Sequence, residues 1–128
     1  MPADHLYFEL NKVRDFKAAN GDSKLVETEI KSLIKKASLD FCRMWESGGK
    51  RNPREFVNSK EFIEYIELYK GFLEFPDILP DRLVDNIESL KDHMLVVRDK
   101  VNSLIFDDCS KEGCDFVNKT CLILESLN

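Results

Sequence analysis

Leu83, Ile87, Leu90, Met94, Val97, Val101 and Leu104 follow one another at alternating intervals of four and three residues, without a break. That period of about 3.5 residues puts every one of them on a single helix face, and no strand can satisfy it. It predicts a helix from Pro80 to about Phe106. A seam of this kind packs at roughly 20° to its neighbours in a bundle core. The same seam would serve a homodimer, but the bundle core is the favoured reading.

The remaining chain reads as helix too, because few glycines and prolines interrupt it and its apolar residues keep helical spacing. A first helix, about 3 to 19, carries Leu6, Leu10, Val13 and Phe16 and stops at Asn20–Gly21, where Gly21 is expected to take the left-handed conformation. A second, Ser23 to about Ser47, carries Val26, Ile30, Leu33, Ala37, Phe41 and Met44 and closes on Gly48 and Gly49. Asn52, Pro53 and Glu55 then form the start of a short capped turn. A third helix, about Ser59 to Glu74, turns Phe62, Ile66, Tyr69 and Leu73 inward with Ile63 and Phe72 beside them, and Pro76 and Pro80 separate it from the next. The last segment, from about residue 112, places Cys114, Val117, Cys121 and Leu124 on its stripe. With 128 residues, no internal repeat and no linker, the expectation is an all-α fold. In detail, it is a single-domain antiparallel helical bundle over 1–128, built of four long helices plus a short C-terminal helix.

Three of the four cysteines fall within "CSKEGCDFVNKTC", Cys109 to Cys121. On a regular helix Cys114 and Cys121 lie about 10 Å apart, too far for a disulfide or for two thiolates on one zinc. A Cys109–Cys114 loop pair would have to draw its other zinc ligands from Cys42, His93 or His5. Core sulfur is therefore the preferred reading of Cys42, Cys114 and Cys121, with Cys109 an exposed thiol whose nucleophilicity Asp107 and Asp108 oppose. The sequon at Asn118 sits on the flank of the same stripe and reads as chance.

No phosphate loop, dinucleotide glycine pattern or zinc-protease motif is present. The two histidines, His5 and His93, lack the Glu-x-x-His partner of a bundle metal site. The expectation is thus no catalysis, no cofactor and no metal. A formal net charge of −5 argues against a dedicated nucleic-acid binder, and no apolar run reaches the roughly 20 residues of a membrane span. The beginning "MPADHLYFELNK" has no secretory leader pattern, so a cytoplasmic or nuclear location is expected before a secreted one.

What remains is "MWESGGKRNPR". Trp45, the only tryptophan, adjoins a loop with Lys50, Arg51 and Arg54, and tryptophan and arginine dominate interface hot spots. Tyr7, Phe8, Tyr65, Phe72 and Phe75 exceed what the core stripes require, and either widen the core or line a groove. The expected function is a non-catalytic helical protein–protein interaction module, an adaptor, regulator or assembly subunit. Trp45, Lys50, Arg51, Arg54 and Phe75 are its candidate partner-binding residues. The alternatives are a nucleic-acid-associated subunit using the basic loop and a secreted four-helix cytokine-like ligand.

Overall fold

In a computed structural model, which describes residues 2–103 and 110–127, the first helix, α1 (Pro2–Ala18), ends in a Schellman turn. The Gly21 N–H donates to the Phe16 carbonyl (2.9 Å) and the Asn20 N–H to that of Lys17 (3.0 Å). Asn20, not Gly21, takes the left-handed backbone, with φ of 62°. Asparagine is among the side chains that tolerate this region best. The exposed Phe16 ring folds over Gly21, where a Cβ would meet its Cε2 at 2.4 Å.

Asp22 then caps α2 (Ser23–Met44) by accepting the Lys24 N–H at 2.8 Å. A wider, π-type turn, Trp45–Gly49, continues α2 beyond its regular end. Asn52 caps the short α3 (Pro53–Val57), with Pro53 in its first turn, accepting the Glu55 N–H at 3.3 Å and donating to Glu55 Oε2 at 2.9 Å. Ser59 caps α4 (Lys60–Phe72) through the Phe62 N–H at 3.2 Å. The chain completes its fold with α5 (Asp81–Ser103) and α6 (Ser110–Ser126). The all-α expectation holds for the described residues, but the C-terminal helix is not short. At 17 residues it equals α1.

Cross-helix pairs give the directions. Tyr7 Oη donates to the Glu64 carbonyl (2.7 Å), Arg14 Nε to Glu74 (2.6 Å) and Lys17 Nζ to Asp77 (3.3 Å), so α1 and α4 run parallel. Ser38 shares a hydrogen bond of 3.1 Å with Tyr69, and Phe41 meets Phe62 and Tyr65, so α2 runs against α4. Asn86 donates to Ser126 (2.6 Å), Lys119 to Ser89 (3.1 Å), and His93 stacks edge-on to Phe116 (4.9 Å), so α6 folds back along α5. Phe116 also reaches Phe41 at 5.7 Å, which brings α6 against α2. The principal helices therefore form a ring, α1–α2–α6–α5–α4, with α2 also touching α4. Five alternating helices cannot close a ring without one parallel pair, and that pair is α1 with α4. Gly71 permits their approach, because a Cβ there would lie 2.6 Å from Leu10 Cδ2.

One continuous core lies inside this ring. Leu83, Ile87, Leu90, Met94, Val97 and Val101 are all buried, so the seam of α5 faces its own chain and offers no homodimer surface; Leu104 lies outside the described residues. Phe16 and Ile63, placed inward by their spacing, are exposed. The larger correction concerns α6, where the buried residues among those described are Phe116, Thr120 and Ile123, while Val117 and Leu124 are half-buried and Cys121 is exposed. Turning the helix by one residue lets Phe116 into the aromatic centre, where it contacts Phe41, Trp45 and Phe62. A buried phenylalanine outweighs a valine or cysteine by roughly 1 kcal/mol or more in apolar area. Cys109 and the side chain of Cys114 lie outside the described residues.

The three tyrosines in the chain all join this core or its edge. Burial, reinforced by the Glu67 and Glu64 carboxylates, raises Tyr7 to about 12. Burial raises Tyr69 against the opposing hydrogen bond from Ser38, and raises Tyr65 with help from Asp40, Glu64 and Glu61. The Tyr65 hydroxyl, buried without a hydrogen-bond partner among the described residues, is poorly placed to become an anion. Each phenol thus has a folded pKa above its unfolded value of 10.0. The stability this gives is complete below pH 10 and is lost as pH rises through the folded values. A phenolate absorbance titration should show no tyrosine ionising near pH 10 in the native protein and all of them doing so in denaturant. A native tyrosine titrating normally would contradict the packing.

Candidate functional site

The corner after α2 is built on Trp45. Its ring is buried against Phe56 (5.7 Å between centroids) and Phe116 (6.4 Å), and its carbonyl accepts the Lys50 N–H five residues on, at 3.1 Å. That long hydrogen-bonded turn is the π-type geometry often found where helices carry function. It seats Gly49 between two rings: a Cβ there would lie 2.8 Å from Trp45 Cε3 and 2.9 Å from Phe56 Cγ. Gly48, one residue earlier, has nothing within 4 Å of its missing Cβ.

The two glycines should therefore respond oppositely to alanine. Gly49→Ala forces rings that cannot move aside, a cost of about 1–3 kcal/mol. Gly48→Ala meets only solvent and gains up to about 1 kcal/mol of helix propensity. Urea midpoints of the two variants check this, and equal midpoints would contradict the corner's geometry.

The turn leaves an open cleft of ≈ 470 Å³, lined by Met44, Ser47, Gly48, Gly49, Arg51, Asn52, Glu55, Phe56, Ser59 and Glu61. Its hydroxyls are engaged locally: Ser47 donates to the Met44 carbonyl and Ser59 to that of Phe56. Among the described residues, each donates to a backbone carbonyl and not to a side-chain base that would make it a nucleophile. Arg51 is exposed at the mouth and has no ion-pair partner among the described residues.

The five candidate partner-binding residues are thus dispersed. Arg51 lines the cleft, Lys50 is exposed beside it and bound to Glu46 (2.7 Å), and Arg54 is half-buried on α3. Trp45 supports the corner from beneath. Phe75 is buried in the α4–α5 turn under the Lys17 ammonium (5.1 Å), at the C-terminal end of α1. Since α2 runs against α1, Phe75 lies roughly 30 Å from Trp45, at the other end of the bundle. Of the surplus aromatics, Tyr65, Phe72 and Phe75 widen the core, Tyr7 is half-buried and Phe8 is exposed. Sequence spacing gave no sign of the π-type turn. Its one trace is the Gly48–Gly49 pair, of which Gly49 alone is sterically required.

The basic loop is not a concentrated positive surface. Lys50, Arg51 and Arg54 alternate with Glu46, Glu55 and Glu61 around the same corner. Elsewhere, Cys42 is half-buried and Cys121 exposed, both as free thiols. Burial raises the Cys42 thiol, with a smaller push from Cys121 and an opposing hydrogen bond from Thr120. A raised thiol is a poor nucleophile. Among the described residues no three His, Cys, Asp or Glu side chains come together to hold a metal ion, and no helix is long and apolar enough to cross a membrane. Comparison with protein-family models, curated proteins and solved structures finds no match to this chain.

Proposed function

We propose that the protein is a non-catalytic helical interaction module, an adaptor, regulator or assembly subunit, that holds a segment of a partner protein in the cleft at the π-type turn. The observation that carries this reading is the pairing of a stiff aromatic base with an open mouth. Trp45, Phe56 and Phe116 fix the turn, and Met44, Phe56 and the Arg51 guanidinium line or flank the space above it. An apolar floor plus Arg51, which has no ion-pair partner among the described residues, suits a partner side chain of apolar character followed by a carboxylate, which an arginine can grip with two parallel hydrogen bonds. The interleaved Glu46, Glu55 and Glu61 favour a protein over a nucleic-acid backbone, whose phosphates they would repel.

A photo-crosslinking residue at Gly48, where a new side chain has room, tests this in the intact chain. Capture of one protein species that is lost on Arg51→Glu supports the reading. Capture of nucleic acid, or capture indifferent to Arg51→Glu, overturns it.

A further inference from the structure

A second surface, independent of the corner, lies on the outer face of α1 and α2. Of the large apolar side chains that stay exposed among the described residues, four belong to this hairpin: Phe8 (59%), Phe16 (41%), Leu25 (57%) and Leu39 (38%). Two clefts open between the helices. One, ≈ 310 Å³, is flanked by Glu9, Lys12 and Phe16 on α1 and by Leu25 and Glu29 on α2. The other, ≈ 350 Å³, is flanked by His5, Lys36, Leu39, Asp40 and Arg43. At about 100° per residue, the α1 positions fall within one arc, and so do the α2 positions. The clefts are therefore the two ends of a single groove.

Its ends differ in charge. At the first, Glu9 is paired with Lys12 (3.9 Å), which also sits over the Phe8 ring (4.7 Å), leaving Glu29 with no ion-pair partner among the described residues. At the second, Asp40 is paired with Arg43 (3.5 Å), leaving Lys36 in the same position beside His5. Among the described residues, Glu29 and Lys36 thus remain uncompensated, seven positions apart on one face of α2.

We infer that this groove is a homodimer surface, closed by a second copy lying antiparallel across it. A two-fold axis near Ser32 sets Glu29 of each copy against Lys36 of the other and Leu25 against Leu39, and it covers Phe8 and Phe16 on the α1 side. Both charge pairs form at once because the interface is isologous. No parallel arrangement of two copies pairs them. A face about 25 Å long and two helices wide offers roughly 500 Å² per copy, or about 1,000 Å² in all. That is at the lower limit for a specific interface, so the dimer is weak and concentration-dependent.

Sedimentation equilibrium of the full chain from about 1 to 500 μM tests the inference, over the range where a weak interface of this area associates. The expected result is a rise from the 14.9 kDa of one chain toward twice that mass, suppressed by salt. Glu29→Lys and Lys36→Glu should each weaken association at least about tenfold, since symmetry turns two attractions into two repulsions. The double variant E29K/K36E should recover it. Both side chains are exposed, and unchanged circular-dichroism melts confirm that the variants stay folded. A chain that remains monomeric throughout, or a dimer indifferent to the single charge swaps or not restored by the double, overturns the assignment. If the groove instead took a helix of another protein, the chain alone would be monomeric, which is the first of those outcomes.

Discussion

Val97→Asp abolishes the folded state at neutral pH. Val97 is 1% exposed in the middle of the α5 seam, between the buried Met94 and Val101. A carboxylate there has no partner and no water, and leaving one buried unpaired costs several kcal/mol, commonly about 3–5. Removal of the valine methyls adds about 1–3 kcal/mol. The sum rivals the total stability of a domain this size, about 5–15 kcal/mol. The variant should show no cooperative thermal transition by circular dichroism, whereas Val97→Ala should melt cooperatively at a lower temperature. Burial raises the pKa of the introduced carboxyl, so its penalty shrinks as pH falls toward 4 and grows again toward 7. A Val97→Asp protein that melts like its parent would remove the seam from the core.

The helices that could be read from sequence were those whose apolar spacing was both regular and unopposed. Leu83 to Val101 has no rival face on its helix, and all six of its described seam residues are buried. The Asn52 cap was legible for the same local reason: Asn52 and the Glu55 N–H it accepts lie three residues apart. Packing around the ring was not, because the number of helices that close it depends on contacts across the chain. The spacing places the α6 stripe on Cys114, Val117, Cys121 and Leu124, one residue away from the buried Phe116, Thr120 and Ile123, and only the aromatic centre formed by Phe41, Trp45, Phe56 and Phe62 draws Phe116 inward. The candidate site suffered from the same non-locality. Trp45 and Phe75 were singled out by residue type, which is equally suited to an interface and to a core. Spacing alone places Phe16 in the core, and only the pairing of α1 with α2 brings it beside Leu25 in one cleft.

Phe116→Ala should be the costliest truncation on α6, by about 3–5 kcal/mol, and Cys121→Ser should be nearly silent. Phe116 is 1% exposed and edge-on to Phe41 (5.7 Å), Phe62 (5.8 Å) and Trp45 (6.4 Å), with His93 at 4.9 Å. Its ring is the piece shared by α2, α4, α5 and the π-type turn, and alanine would leave a void that no neighbour can fill without loosening the others. The loss should therefore exceed what area alone gives, and near-ultraviolet circular dichroism should report Trp45 losing its fixed surroundings even where the helices persist. Cys121 is exposed, so its conversion to serine removes little apolar burial. Had the cysteine stripe faced inward, the order of the two effects would reverse: serine at 121 would bury a hydroxyl, and alanine at 116 would trim a surface ring. Urea midpoints of the pair thus fix the rotation of α6. The same rotation decides whether Trp45 packs against Phe116 as well as against Phe56.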